Sequence, residues 1–299
     1  MAAMSTPYLP LRQPESHTRE IRGLRQHCQS WPGEGAPLVL LHGFMDCGAT
    51  FQFLVDALAG GRAVVAPDWR GFGRSGWSPA GYWFPEYFAD LEAWLDEWCP
   101  GQPADLVGHS MGGNIALMFA GLRPARVRRL VTLEGFGLPG TRAEMAPARY
   151  RDWLDQLRAP EPATVFPGVD VLAAVLRKRN PRLTPERAAF VAGAWSEVLP
   201  DGRVRLRFDP AHKRVNPVLY RREEAEACWR EVSAPVLYVA GAESDFMQRL
   251  GGAADSQAMR AHIARLEPRV VPGSGHMLHH DQPEAVARLI EDFLAPETA

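Results

Sequence analysis

A serine lies between two glycines in the stretch Gly108-His109-Ser110-Met111-Gly112. Residues 104–108 form an apolar run typical of a buried strand, and residues 111–122 have the composition of a helix packed on both sides. A sharp turn from strand to helix needs small flanking residues and holds its central residue in a strained backbone conformation. Such a turn projects the serine hydroxyl beside the helix N-terminus, which favours negative charge. The stretch therefore indicates a nucleophilic serine at position 110.

A serine hydroxyl is a weak nucleophile unless a histidine within hydrogen-bond reach takes its proton. The chain has nine histidines. His276 follows a glycine-rich stretch, 273–275, just before the apolar pattern of the last helix. His279 and His280 follow closely and remain alternatives to His276 as the base.

Short apolar runs alternate with helical patterns along most of the chain. The predicted strands are 37–41, 62–66, 104–108, 127–133, 235–240 and 270–271. The predicted helices outside the middle of the chain are 51–58, 88–98, 111–122, 257–264 and 283–294. Strands that are apolar throughout and alternate with helices indicate a mostly parallel sheet covered on both faces. The segment 18–29 alternates more and predicts an antiparallel edge.

The middle of the chain breaks this alternation. Helices are predicted there at 146–157, 169–179 and 184–199, and we find no strong parallel-strand pattern. These observations predict a helical cap inserted between strands 6 and 7 of the sheet. The predicted domains are a core made of residues 1–138 and 231–299 and a cap, or lid, made of residues 139–230.

Composition excludes several classes of function. The 299-residue chain has a formal net charge of −2, which gives no electrostatic reason to expect a nucleic-acid partner or an anionic membrane. No apolar run reaches 18 residues, so we expect no membrane span. The four cysteines are scattered without CxxC spacing, which favours reduced thiols and a cytoplasmic location.

A charged, glycine-rich loop contains Asp68, Arg70 and Arg74. It lacks the spacing of a phosphate-binding P-loop, and its glycines are not followed at once by a helix as in a dinucleotide-binding motif. The loop is therefore predicted to be a salt-bridged structural turn.

Five landmarks occur in a fixed order along the chain. They are His42-Gly43-Phe44, residues 67–75, the Ser110 motif, residues 241–245, and Gly273-Ser274-Gly275-His276. In these landmarks the chain resembles the α/β-hydrolase superfamily over nearly its whole length, and residues 208–235 resemble its serine-hydrolase-like branch. The resemblance implies an α/β-hydrolase fold, with a mostly parallel sheet flanked by helices.

The resemblance also implies a nucleophile, a base and an acid. It supports Ser110 as the nucleophile and His276 as the base. The preferred acid is Asp245, which precedes the histidine by a spacing usual for the family. Glu134, at the end of the strand after the nucleophile helix, is the first alternative and Glu243 is the second.

The backbone N–H groups of Phe44 and Met111 are the oxyanion hole that the resemblance implies. Such donors are already oriented when charge develops on the substrate oxygen. Met45, Phe136 and Trp195 are predicted walls of the substrate pocket.

The sequence thus predicts a serine hydrolase that forms an acyl-enzyme on Ser110 and transfers the acyl group to water. The expected substrate is a small ester-like molecule, as for a carboxylesterase, and neither a metal nor an organic cofactor is implied. The same triad would also serve a C–C bond, lactone or amide hydrolase, or a cofactor-free perhydrolase. An α/β-hydrolase-fold protein that binds a ligand or partner without turnover is the alternative of another class.

Overall fold

The computed structural model describes residues 8–159, 161–250 and 256–295. The strands in these ranges are β1 (Glu15–Ile21), β2 (Leu24–Trp31), β3 (Glu34–Leu41), β4 (Arg62–Pro67), β5 (Ala104–His109), β6 (Val127–Leu133), β7 (Val165–Phe166), β8 (Ser196–Val198), β9 (Val204–Leu206), β10 (Val236–Gly241) and β11 (Leu266–Val271). The helices are α1 (Gln52–Ala57), α2 (Phe84–Trp98), α3 (Met111–Leu122), α4 (Ala146–Arg158), α5 (Val169–Arg179), α6 (Pro185–Trp195), α7 (Arg222–Arg230), α8 (Asp245–Leu250), α9 (Ser256–Arg260), α10 (Leu278–Asp281) and α11 (Pro283–Leu294).

Eight strands form the main sheet in the spatial order β1-β2-β4-β3-β5-β6-β10-β11. The six strands from β4 to β11 in this order pair in parallel. Strands β1 and β2 form an antiparallel hairpin at one edge, closed by Arg22 and Gly23 with φ of 53° and 73°. Positive φ at both turn residues matches the right-handed twist of the strands. The mostly parallel sheet and its antiparallel edge, both predicted from the sequence, are confirmed.

The main sheet separates two hydrophobic cores. Leu38 and Leu40 of β3 point into the core shared with α1 and α11, whereas Val39 and Leu41 point into the core shared with α2 and α3. Neighbouring strand residues point to opposite faces, so a strand that is apolar throughout is buried on both sides. Among the described helices, none is long and apolar enough to cross a lipid bilayer.

The segment between β6 and β10, the sixth and seventh strands of the main sheet in chain order, contains α4 to α7 and a small antiparallel sheet in the order β7-β9-β8. The sequence predicts a helix through residue 199, but α6 ends at Trp195 and residues 196–198 form β8. The reason is the turn that follows, because Pro200-Asp201-Gly202 returns the chain to β9, with φ of 84° at Gly202.

Two contacts attach the ends of this inserted segment to the core. At its start, the Gly137 N–H donates to Asn114 Oδ1 of α3 at 2.7 Å. At its end, α7 packs against α3 so closely that a Cβ on Gly121 would lie 1.9 Å from the Cys228 carbonyl oxygen. The helix α7 therefore packs against the core, although it lies within residues 139–230, the range predicted for the cap.

A buried ion pair holds the loop after β4. The Arg70 guanidinium donates from Nε to Asp90 Oδ2 and from Nη2 to Asp90 Oδ1, both at 2.6 Å. The Asp90 side chain, on α2, is fully buried, and Arg22 also reaches it at 3.2 Å. This bidentate geometry is the strong form of a charge-assisted hydrogen bond, so the pair links the loop to α2.

Candidate active site

Ser110 occupies the turn between β5 and α3. Its φ of 50° and ψ of −113° lie outside the usual regions for a residue with a side chain. The turn is tight because a Cβ on Gly108 would lie 2.6 Å from Gly113 Cα, and one on Gly112 would lie 2.2 Å from the Leu41 carbonyl oxygen. Glycine is therefore required on both sides of Ser110.

His276 lies in the loop between β11 and α10. Its Nε2 lies 3.1 Å from Ser110 Oγ, within hydrogen-bond distance. The loop is held by the Gly275 N–H, which donates to Asp281 Oδ2 at 2.9 Å. Phe246 packs against the imidazole with a ring separation of 4.4 Å. The structure thus brings together the serine and the histidine that the sequence selected.

Glu134 lies immediately after β6 and contacts the other nitrogen of the imidazole. Its Oε2 is 2.6 Å from His276 Nδ1, and its side chain is fully buried. The same oxygen accepts from Ser244 Oγ at 2.8 Å, and Oε1 accepts from the Gly241 N–H at 2.8 Å. A buried carboxylate needs such donors to offset the loss of water. The φ of 54° at Glu134 turns the chain sharply at the point where this side chain is needed.

The preference for Asp245 is corrected by this geometry. Asp245 is exposed at the start of α8, and the buried residue that precedes it, Ser244, donates to Glu134. Glu243, the other alternative, forms an ion pair with Arg182 of the inserted segment. The carboxylate that contacts the imidazole is therefore the first alternative, Glu134.

Other histidines pack behind the site. His109 Nε2 donates to the His276 carbonyl oxygen at 2.9 Å, and burial lowers the pKa of His109 well below its ordinary value. His279 and His280, the alternative bases, are buried beside Phe51 and Phe53, and burial lowers both of their pKa values. The imidazole in contact with Ser110 is that of His276, not of either neighbour.

One group of described residues has the composition of a metal site. The ligand atoms of Asp46, His279 and His280, all buried, lie within 4.8 Å of one another. Ligand atoms of a tetrahedral zinc site are roughly 3.4 Å apart, given metal–ligand bonds of about 2.1 Å. The spread of the group is wider, and we assign it no metal role.

The loop after β3 approaches the nucleophile closely. A Cβ on Gly43 would lie 2.7 Å from His109 Nδ1 and 3.3 Å from Ser110 Cβ. His42 fixes this loop, because its Nε2 accepts from the Trp69 N–H at 2.9 Å and its Nδ1 donates to the Gly43 carbonyl oxygen at 2.8 Å. The next residue along the loop is Phe44.

Phe44 and Met111 share a cleft of about 230 Å³. Met111 is the first residue of α3, so its N–H has no acceptor within the helix. The other lining residues come from the loop before α2, from α2 itself, from α4, and from the stretch after β9: Pro79, Ala80, Gly81, Tyr82, Trp83, Phe84, Tyr87, Trp153, Leu157, Ala211, His212, Arg214, Val215, Asn216 and Pro217.

The residues predicted as pocket walls lie elsewhere. Met45 and Trp195 line a separate cavity of about 30 Å³ beneath the inserted segment. Phe136 is buried against Tyr238 and Phe246, with ring separations near 6 Å. None of the three is among the residues that line the cleft of Phe44 and Met111.

Sequence reasoning missed two contributors to the site. Ser244 supports Glu134, and the available signal was its place in the landmark at residues 241–245, directly before the preferred acid Asp245. Trp153 of α4 lines the cleft, but a single aromatic residue on a helix gives no functional signal by itself.

Comparisons with known proteins show which family the chain is similar to. A family model for the alpha/beta hydrolase fold matches residues 36–283. A serine hydrolase-like protein of Danio rerio is 30% identical over 292 residues, which covers 93% of this chain and 86% of that protein. The 2-(acetamidomethylene)succinate hydrolase of Mesorhizobium japonicum is 26% identical, covering 88% of this chain and 89% of that protein. The solved thioesterase domain from the curacin biosynthetic pathway superposes with a TM-score of 0.80 at 28% identity, covering 93% of this chain and 99% of that domain. The chain belongs to the alpha/beta hydrolase fold family.

Proposed function

We propose that this protein is a serine hydrolase that cleaves small carboxylic esters through an acyl-enzyme on Ser110. The observation that carries the proposal is the chain of contacts from Ser110 through His276 to Glu134, with distances of 3.1 and 2.6 Å. A nucleophile, a base and a buried carboxylate in this order form the arrangement used for acyl transfer.

In the proposed reaction, Ser110 Oγ attacks the ester carbonyl carbon while His276 Nε2 takes the hydroxyl proton. Glu134 holds the imidazole in position and stabilises its positive charge. The N–H groups of Phe44 and Met111 donate to the carbonyl oxygen as it gains negative charge. The histidine then gives the proton to the leaving alcohol as the ester C–O bond breaks. A water attacks the acyl-enzyme with the histidine again as base, the bond from the acyl carbon to Ser110 Oγ breaks to release the carboxylic acid, and the proton returns to Ser110 Oγ.

Two features support turnover over ligand binding alone. The Ser110 backbone is strained, and strain of this kind is retained where the surrounding structure holds a residue for its function. The Glu134 carboxylate accepts hydrogen bonds from two groups besides the imidazole, which fixes it behind His276.

A fluorophosphonate probe tests the proposal directly. We expect it to label the folded protein, and we expect Ser110→Ala to abolish both labelling and hydrolysis of short 4-nitrophenyl esters. Labelling that persists in Ser110→Ala, or a folded wild-type protein that neither reacts with the probe nor hydrolyses an ester, would exclude the proposed function.

We further propose that residues around 139–219 act as a cap over the site. Trp153 and Leu157 of α4 line the cleft together with Phe44 and Met111 of the core, which supports a role in selecting the substrate. Exchanging these two side chains for alanine is expected to change the preference among ester chain lengths more than the rate of labelling by the probe.

A further inference from the structure

The cleft that contains Phe44 and Met111 has one positive charge and no acidic side chain among its described lining residues. That charge is on Arg214. The other basic side chain in the cleft, His212, is stacked between Phe72 and Tyr82 at ring separations of 3.9 and 3.6 Å. Burial lowers the pKa of His212 to about 3, so it is neutral near pH 7.

Arg214 follows the short 3-10 helix at Pro210–Lys213. Its Nε is buried, and it has no hydrogen-bond partner among the described residues. The carboxylate of the same stretch, Asp209, accepts instead from Tyr82 Oη at 2.7 Å and from the Ala211 N–H at 2.9 Å. A buried donor without a partner is unfavourable, and most such groups in proteins find a partner. Arg214 is therefore a cation that lines the cleft, and no described residue satisfies its Nε–H.

We propose that Arg214 binds a carboxylate of the substrate, so that the preferred substrates are esters bearing a second, ionised carboxyl group. This inference rests on the proposed ester hydrolase function and adds the substrate class. A guanidinium presents N–H groups in a planar fork that fits the two oxygens of a carboxylate. One cation neutralises one negative charge, which favours a carboxylate over a doubly charged phosphate group.

The position of Arg214 links this contact to the reaction. Phe44 and Met111 line the same cleft, so a substrate held by Arg214 lies in continuous space with the proposed oxyanion donors. The aromatic residues at 82–84 provide an apolar wall for the carbon chain between the ester and the carboxylate. Binding at the far end would orient the ester for attack by Ser110.

Three matched esters test the proposal. They are 4-nitrophenyl hydrogen adipate, whose acyl chain ends in a carboxylate, its neutral amide analogue 4-nitrophenyl 5-carbamoylpentanoate, and the corresponding ω-phosphonate. We expect the wild-type kcat/KM to be about 10- to 100-fold higher for the adipate than for the amide, as for a hydrogen bond between charged groups. We expect Arg214→Gln to remove this preference, because kcat/KM falls far more for the adipate than for the amide.

Two further variants separate charge from geometry. Arg214→Lys keeps the charge but loses the planar fork, so we expect an intermediate preference. Arg177→Gln removes an exposed arginine of α5 that does not line the cleft, and we expect the full preference to persist. The inference would be overturned if Arg214→Gln lowered kcat/KM equally for the adipate and the amide, or if wild-type kcat/KM were equal for the two esters. The ester hydrolase proposal would stand in either case. A phosphonate preferred over the adipate would overturn the assignment of a carboxylate.

A binding measurement on a variant without the nucleophile tests the carboxylate site separately from the proposed hydrolase activity. We expect calorimetry to show that adipate binds to Ser110→Ala about 10-fold or more tightly than to the double variant Ser110→Ala/Arg214→Gln. Equal binding to the two variants would contradict the carboxylate site whatever the esterase assays show. Tighter binding to Ser110→Ala, combined with a wild-type protein that does not hydrolyse esters, would support the carboxylate site and reject the reaction.

Discussion

The Glu134 carboxylate and the His276 imidazole are in contact at 2.6 Å although the two residues are 142 positions apart in the chain. The carboxylate comes from the end of β6, directly before the inserted segment, and not from the loop after β10. The Gly241 N–H at the end of β10 and Ser244 Oγ in the loop after it donate to Glu134 instead. The end of β10 and the loop after it therefore supply the donors, and the residue that follows β6 supplies the carboxylate.

Replacing the acid tests this assignment. We expect Glu134→Gln to lower kcat on a 4-nitrophenyl ester by about 10³- to 10⁴-fold, because the amide neither stabilises the imidazolium nor fixes the correct tautomer. Asp245→Asn is the matched control, and we expect its kcat to stay within about 3-fold of wild type because Asp245 is exposed. A large loss confined to the Asp245 variant would refute the role of Glu134.

The close approach of Gly43 to the nucleophile leads to a second prediction. In Gly43→Ala the new methyl group would lie 2.7 Å from buried His109 Nδ1, so the loop bearing Phe44 must shift. We expect kcat/KM to fall about 100-fold, as when one oxyanion donor is lost. Gly60→Ala is the control, since a Cβ there meets nothing within 4 Å. Steady-state kinetics on both variants measure the effect. Wild-type kcat/KM in Gly43→Ala would contradict the prediction.

Buried histidines should make stability depend on pH. Burial lowers the pKa of five of them: His42, His109, His212, His279 and His280. As the pH falls below about 6.5, the unfolded chain takes up protons that the folded protein does not. The stabilising contribution of each group is therefore complete above that pH and decreases as the pH falls, by up to about 1.4 kcal/mol per pH unit.

His212→Phe isolates one member of this set. Phenylalanine preserves the stack between Phe72 and Tyr82 but does not titrate. Between pH 5.5 and 4 we expect the free energy of unfolding of the variant to fall less steeply than that of wild type, by about one proton's contribution. Urea denaturation at several pH values measures the two slopes, and identical slopes would show that His212 is not held neutral in the folded state.

The buried ion pair between Arg70 and Asp90 gives a prediction about stability. Arg70→Met would leave the fully buried Asp90 without its bidentate partner, so we expect a loss of about 3 kcal/mol in the free energy of unfolding. This expected loss is at the lower end of the range for breaking a buried ion pair, because Arg22 still forms an ion pair with Asp90 in the variant. In the double variant Arg70→Met/Asp90→Leu we expect part of the stability to return. A single variant within 1 kcal/mol of wild type by urea denaturation would contradict this account.

The features that could be predicted from the sequence are those encoded by residues close together in the chain. The parallel strands were found because each is apolar throughout, and the Ser110 turn because two glycines must flank it. His276 was selected by its place before the last helix, and it contacts Ser110. Each of these features depends on residues that are close together in the chain.

The remaining features depend on contacts that the local sequence does not encode. Whether Glu134 or Asp245 meets His276 is decided by how β6, β10 and the last loop pack together. The strands β7, β8 and β9 have two or three residues, too few to show a periodic pattern. The position of Arg214 in the cleft follows from the path of the inserted segment, which no motif predicts.

The attachment of the inserted segment has a consequence for engineering. Glu134 precedes the contact between Gly137 and Asn114, and α7 rests on α3 at the other end, so both junctions lie outside the stretch that lines the cleft. A graft that replaces residues 139–219 and retains both junctions would exchange the proposed cap, and the new segment would have to replace the donor that Asn180 supplies to Asp281 at 2.6 Å, since Asp281 holds the loop of His276.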